Sequence, residues 1–405
     1  MPCPRSNRVN KSKSGKNDNV SNNDNNINND NNINNINNNR YDSQPEFHTI
    51  SNYPKSGGQR SFKQSQSFHE PKNLGARVTL SETKTFSEKA REHWTPERIK
   101  KVTSGKKYPI LPSEGAELLR ALGLLNADAS MSADAVRKYI QINHMLLLLE
   151  PYFLELCERF PTVRVLDAGC GSSFLTFLLA WCFRNRWKKS AHILGVDSNE
   201  KLIQKSRTTA QELGLSDVLK FECANLQEFL WDTTYTKCFE AEAKRPNAVV
   251  ALHACDTATD IALAIGIAQK ADFLGVAPCC QAELARKWAK LSGENFTGAF
   301  APVFANPNLR REIAAHLTDT LRMLLMRGVG YEVTITEFVP SQHSPKNRLM
   351  TAVRRGNFHK ESQVAYTDLK ASLGGQSIAL EDLLAAGGGS VAIDSPTDAT
   401  TKPSI

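Results

Sequence analysis

The chain of 405 residues predicts an α/β fold, a Rossmann-like and mostly parallel sheet of seven strands with a helical N-terminal extension and disordered tails. Three observations carry that expectation. The stretch Val163-Arg164-Val165-Leu166-Asp167-Ala168-Gly169-Cys170-Gly171-Ser172-Ser173-Phe174 runs from an alternating aliphatic strand pattern, through an acid and two glycines, into apolar residues at helical spacing (Phe174, Leu175, Phe177, Leu178, Leu179, Trp181). Further short apolar runs alternate with helical patterns after it. Asparagine fills most positions from Asn17 to Asn39, a composition unable to bury enough apolar surface to offset its ordering entropy.

These features divide the chain into an Asn-rich disordered arm (1–83), a helical extension serving as lid or substrate cap (84–156), the sheet domain (157–356) and a flexible tail (357–405). The tail carries Gly387-Gly388-Gly389 and one short Leu/Ala-rich helix candidate. Lys84 to Lys107 is dense in Lys and Arg around Trp94, Pro96 and Tyr108, which suits either a solvated helix surface or an RNA-facing patch. Helices are expected over Glu114–Leu125 and Ala133–Leu156, the second ending at Pro151 or resuming after it. Its apolar face holds Val136, Ile140, Met145, Leu148 and Leu149. The other carries Arg137, Lys138, Tyr139, Gln141, Asn143 and His144, a polar set suited to substrate.

After the first strand, His192–Asp197 forms the second, Leu202–Leu213 a helix, and Val218–Glu222 the third strand. Trp231–Arg245 is expected as a surface connection. Asn247–Leu252 is the fourth strand, followed by His253-Ala254-Cys255-Asp256 and a helix from near Thr257; Ala271–Ala277 is the fifth, followed by Pro278-Cys279-Cys280-Gln281. A helix through Trp288 and a long amphipathic one over Leu309–Arg327 come next. Strands at Tyr331–Val339 and Arg348–Val353, joined by Ser344-Pro345-Lys346-Asn347, add an antiparallel edge.

No apolar run reaches bilayer length, and the basic N-terminus lacks the apolar segment of a secretory signal. Nine cysteines without disulfide-like spacing fit a reducing compartment, so a cytoplasmic protein with no membrane partner is expected. A net charge of +8 favours an acidic partner such as nucleic acid, although Arg5, Arg8, Lys11, Lys13 and Lys16 of the arm supply part of it.

Strand, glycine turn and helix together form a nucleotide-type cofactor loop, in which glycines let backbone approach a ligand and the helix start offers free N–H groups. The hydride-transfer version requires a third glycine where Phe174 stands. The D-x-G-x-G found instead resembles motif I of the class I S-adenosylmethionine methyltransferases. Asp197, about 26 residues beyond Gly171, sits where a second-strand carboxylate takes the ribose hydroxyls, or else caps the next helix. The resemblance places Asn225, after the third strand, against the adenine amino group; it also suits a local cap. The expected S-adenosylmethionine contacts are Asp167, Gly169, Cys170, Gly171, Asp197, Ser198, Asn225, Leu226 and His253.

The run from Leu252 through His253, Cys255 and Asp256 to Asp260 resembles the L-H-x-C-G-x-x-x-D signature of one methyltransferase subfamily, and Pro278-Cys279-Cys280 resembles its C-C partner. That subfamily includes the methyltransferase-like 25 proteins, a glutathione-S-transferase-like C-terminal-domain protein and unassigned bacterial enzymes, and more distantly tRNA 2′-O-methyltransferases acting on the acceptor stem. The similarity covers Lys106 to Arg354, including Arg137-Lys138-Tyr139-x-Gln141-Ile142-x-His144 and Pro345-Lys346-Asn347. It implies a class I methyltransferase sheet and methylation of RNA (tRNA or rRNA). Protein is the next substrate, and a non-catalytic RNA-binding module with the same fold is the alternative of another class. The chain departs from the pattern in Asp256, where glycine is usual, and in Ser173, which a negative φ would make harmless.

Transfer from a sulfonium is an in-line displacement, and a base is needed only for a hydroxyl or protonated amine. His253, Asp256 and Asp260 are the candidate catalytic groups, with a structural histidine, a helix cap and a solvated acid as their plain alternatives. Arg137, Lys138, Tyr139, Gln141, His144, Cys279, Cys280, Lys346 and Asn347 are the candidate substrate contacts. Cys255, Cys279 and Cys280 could supply two-thiol chemistry, or zinc ligands with His253, or simply tight packing near backbone. No C-x-x-C pair supports a metal, and none is expected.

Overall fold

The computed structural model describes residues 84–386 apart from 244, 253, 255, 280, 295 and 339–346. Among the described residues four helices precede the sheet. α1 (Phe86–His93) starts at a capping box formed by Thr85 and Glu88, and α2 (Pro96–Thr103) at Thr95 with proline in the first turn. Next come α3 (Ala116–Ala121) and α4 (Ala133–Arg159), the latter capped by Ser132 and continuous through Pro151. Tyr139 and Asn143, expected on the polar face of α4, point inward instead. The Tyr139 hydroxyl donates to the Ile110 carbonyl at 2.9 Å, and the Asn143 amide accepts from Ile110 N at 3.0 Å and donates to Tyr139 O.

The sheet follows in regular alternation: β1 (Thr162–Ala168), α5 (Phe174–Trp181) running into a π-helical turn at Cys182–Trp187, β2 (Ser190–Asp197), α6 (Glu200–Glu212) and β3 (Leu219–Cys223). Then come α7 (Trp231–Phe239), β4 (Ala248–Leu252), α8 (Thr257–Ala268), β5 (Phe273–Ala277), α9 (Glu283–Gly293), α10 (Ala301–Ala305), α11 (Pro307–Gly328), β6 (Tyr331–Glu337) and β7 (Arg348–Arg354). Strand order is β3-β2-β1-β4-β5-β7-β6. β1 to β5 are parallel and β7 inserts antiparallel between β5 and β6. The order reverses between β1 and β4, so the crevice at the carboxyl ends of these strands is where an open α/β sheet takes its ligand.

Alternation along the strands splits the core in two. Val163 and Val165 pack with the helical extension and α5, while Leu166 and Ala168 face α8 and α11. Two expectations change. The connection at 231–245 contains α7, whose Trp231, Tyr235 and Phe239 recur at helical spacing; Trp231 and Tyr235 are buried and stacked at 5.0 Å. The tail expected from residue 357 continues as α12 (Lys360–Ser372) and α13 (Ala379–Ala386). Tyr366, Leu373, Ile378 and Leu380 are buried against α8 and α11, because the segment supplies apolar residues at helical intervals that close this face of the sheet.

Candidate active site

The glycine loop is held by its neighbour strand. Gly169 N and Cys170 N both donate to Val196 O (2.8 and 3.0 Å), and Ser173 N turns back to Cys170 O at 2.7 Å. Gly169 and Gly171 have φ of +71° and +54°, which glycine adopts without a Cβ clash. A Cβ on Gly169 would approach Ala254 Cβ and Leu226 Cδ1 at 3.9 Å each, whereas one on Gly171 would meet nothing within 4 Å. The loop therefore faces the ends of β3 and β4 and opens onto free space at Gly171. Ser173 also takes a positive φ of +60°, correcting the expectation of a negative one. A left-handed L-residue costs about 1–2 kcal/mol. The fully buried Ser173 hydroxyl offsets part of it through a 2.9 Å bond to the Ser206 hydroxyl.

Asp167 lies within this floor, 1% exposed, between Gly195 of β2 and Val250 of β4. Its Oδ2 accepts from the Thr176 hydroxyl at 2.6 Å, while its Oδ1 is buried without a hydrogen-bond partner. Burial pushes its carboxyl up to about 7, opposed by Thr176 and reinforced by the negative charge of Asp197. Asp197, at the end of β2 and half-buried, accepts from Gly171 N on Oδ2 and from Asn199 N on Oδ1, both at 2.9 Å. Asn199, not Asp197, caps α6. The Cys170 thiol packs against Gly195, where an added Cβ would lie 3.2 Å from its sulfur, and burial pushes that thiol far up. Ser198 is exposed beside Asp197. Asn225 is exposed too, its Oδ1 accepting from Gln227 N at 3.1 Å in a local turn. Leu226 contributes an apolar wall.

The proposed acids at the end of β4 do other work. Asp256 accepts from Ala282 N and Glu283 N (2.9 and 3.0 Å) and from Arg286 at 2.6 Å, so it caps α9 rather than facing a nucleophile. Burial opposes its charge, but Arg286 and those amides hold its carboxyl below the usual range. Asp260 is wholly buried in a two-point pair with Arg322, at 2.9 and 2.6 Å. Burial pushes its carboxyl up against the pull of that guanidinium. Both carboxylates are engaged by these partners in the structure.

Of the expected substrate contacts, Tyr139 is a core residue. His144 bonds the Phe338 carbonyl through Nδ1 at 2.7 Å, and Asn347 is buried. Arg137 is exposed and paired with Asp134; Lys138 lies over the Phe174 ring at 5.9 Å. Gln141 is half-buried on α4 and Cys279 half-buried after β5. His253, Cys255, Cys280 and Lys346 lie outside the described residues. Thr176, Asp319 and Arg322 were not anticipated. The last two sit in the buried stripe of α11 with Thr318, Leu321 and Leu325, and charges inside an apolar stripe were the available signal. Among the described residues no group of three or more His, Cys, Asp or Glu could hold a metal ion, and no helix is long and apolar enough to cross a membrane.

Residues 137–287 match the family model of a methyltransferase domain. The mouse glutathione S-transferase C-terminal domain-containing protein is 27% identical over 245 residues, covering 56% of this chain and 34% of its own length. The chain thus spans about a third of that relative. A 23S rRNA (uracil(1939)-C(5))-methyltransferase of Polynucleobacter necessarius is 34% identical over 96 residues, 24% of this chain and 19% of that protein. The METTL16 MTase domain aligns with a TM-score of 0.34 and 13% identity, over 64% of this chain and 79% of that one.

S-adenosylmethionine fits the residues present. The orphaned Asp167 Oδ1 is an acceptor for an ammonium group, Gly171 opens on space a side chain would fill, and Asp197 keeps acceptor capacity at the second strand's end. Asp167, the glycine backbone, Asp197 and Leu226 are the groups that would hold it. Residues 137–287 carry a methyltransferase domain by that family match.

Proposed function

We propose that this domain methylates RNA, with tRNA or rRNA as the substrate class, and that it is kin to the methyltransferase-like 25 group. The observation that carries the reading is the position of Lys138. Its ammonium lies over Phe174, the first residue of α5, so the cationic end of α4 borders the glycine loop. Exposed Lys84, Lys89, Arg91, Arg98, Lys100, Lys101, Lys106 and Lys107 extend positive charge along the helical extension, as a phosphate backbone requires. The rRNA methyltransferase matched over 96 residues agrees with the same class.

The cofactor supplies a methyl group on a sulfonium. Asp197 would orient the ribose, the glycine backbone would admit the methionine end, and Asp167 would receive the amino group. With Asp256 and Asp260 committed to capping and pairing, catalysis rests on alignment of the nucleophile, which is the main demand of an in-line displacement. His253, which follows β4 in the chain, is the group proposed for proton transfer where the nucleophile is a hydroxyl.

Labelled methyl transfer by the full-length chain to total RNA and to total protein tests the reading; label in RNA is expected. RNA affinity should fall at least about tenfold between 50 and 200 mM salt as counterion release is lost. Label confined to protein, or a flat salt response, would replace the substrate. Cofactor binding without transfer to either would favour a non-catalytic binding module.

A further inference from the structure

Asp319 and Arg322 lie one turn apart on α11, and the Arg322 side chain is 1% exposed. The Arg322 guanidinium donates to both oxygens of Asp260, to the Asp256 carbonyl at 3.1 Å and to Asp319 at 3.2 Å. Asp319 accepts from the Gln281 amide at 3.1 and 3.0 Å and pairs with Arg348 at 3.0 Å. Two neighbouring side chains therefore reach the β4–α8 and β5–α9 connections and the first residue of β7. Both connections leave the sheet at the edge where the glycine loop lies.

Stability does not explain such a cluster. Charges withdrawn from water repay their desolvation only partly, and apolar residues of the same size often serve as well or better. A buried fork does supply direction, since it holds each partner at one distance and angle. Asp256 shows what is being held. It takes φ +52° and ψ −119°, a conformation glycine favours, with its carbonyl gripped by Arg322 and its carboxylate by the start of α9.

We propose that Arg322 and Asp319 are positioning residues for methyl transfer: they touch neither cofactor nor substrate, and they lock the strand-four and strand-five connections in the geometry that aligns the nucleophile. The proposal rests on the transfer reading above.

The test uses the full-length chain. Asp319→Asn removes one charge, keeps shape and leaves the Arg322–Asp260 pair intact. The single-turnover transfer rate should fall at least about tenfold, as small misalignments do. S-adenosylmethionine affinity and the melting temperature should stay near wild type, and amide exchange should quicken at 256–259 and 281–284 but not at 167–173. A second variant, Asp260→Asn with Asp319→Asn and Arg322→Met, removes the three most buried charges together and leaves only the partly exposed Arg348 without its partner; it should fold, bind cofactor and lose transfer. Transfer and exchange at wild-type values in these variants would overturn the proposal, as would a loss of cofactor binding in step with transfer. A wild-type chain that binds cofactor and labels nothing would refute the transfer reading itself, and unchanged exchange in the variants would still count against the positioning role.

Discussion

Asp197→Ala is the most informative single change at the cofactor site. Each Asp197 oxygen already accepts one backbone N–H, from Gly171 and from Asn199, at 2.9 Å. An ionised carboxylate offers about four acceptor positions, so roughly two remain, one per oxygen. Two ribose hydroxyls would use both. Hydrogen bonds to a charged group contribute about 1.5 kcal/mol each at the low end, giving about 3 kcal/mol, or about a hundredfold in affinity. Partial exposure of Asp197 lets water recover some of this, which sets the lower bound at about tenfold. Calorimetric titration with S-adenosylmethionine reads the change directly. The Gly171 amide loses its acceptor as well, so Asp197→Asn serves as comparator: it keeps one carbonyl acceptor and should fall between wild type and alanine. Affinity within twofold of wild type in Asp197→Ala would refute the ribose assignment.

Gly171→Val adds a side chain where the loop opens on space; it should cost about 1–2 kcal/mol of stability from its φ of +54° while abolishing cofactor binding, read by melting and calorimetry together. Because burial holds Asp167 protonated up to about 7 in the folded chain against an ordinary 3.8, its carboxylate becomes available to an ammonium only as pH rises through that value. Cofactor affinity should therefore increase about tenfold from pH 6 to 8 relative to Asp167→Asn, whose profile carries the cofactor's own titration alone. The sign for folding is opposite: a raised carboxyl favours the folded state at low pH and loses that contribution between its unfolded and folded values. Truncation after residue 356 removes four buried apolar side chains in and between the last two helices, Tyr366, Leu373, Ile378 and Leu380, together about 6–12 kcal/mol of apolar burial; the shortened chain should melt far below wild type or aggregate.

The fold was legible where local pattern and burial agree. Val163 to Phe174 announces strand, turn and helix through period-two alternation, two glycines and a helical apolar stripe, and all three occur there. The α7 helix was hidden by the polar residues between Trp231, Tyr235 and Phe239. The α12–α13 closure was hidden because its apolar residues resemble a tail until the sheet face they cover is known. At the site, the expected positions of Asp167, Gly169, Gly171, Asp197 and Leu226 converge, since strand ends and one glycine turn place them. The pairings of Asp256 and Asp260 were hidden for a different reason. Both are spaced like site acids, but their partners Arg286 and Arg322 lie 30 and 62 residues away, and no local pattern reports an ion pair of that span.

The most direct measurement is titration of the full-length chain with S-adenosylmethionine, with NADH as control. Saturable one-to-one binding, competed by S-adenosylhomocysteine and absent with NADH, is the expected result. No binding of S-adenosylmethionine, or equal binding of the dinucleotide, would contradict the assignment of the glycine loop and of everything built on it.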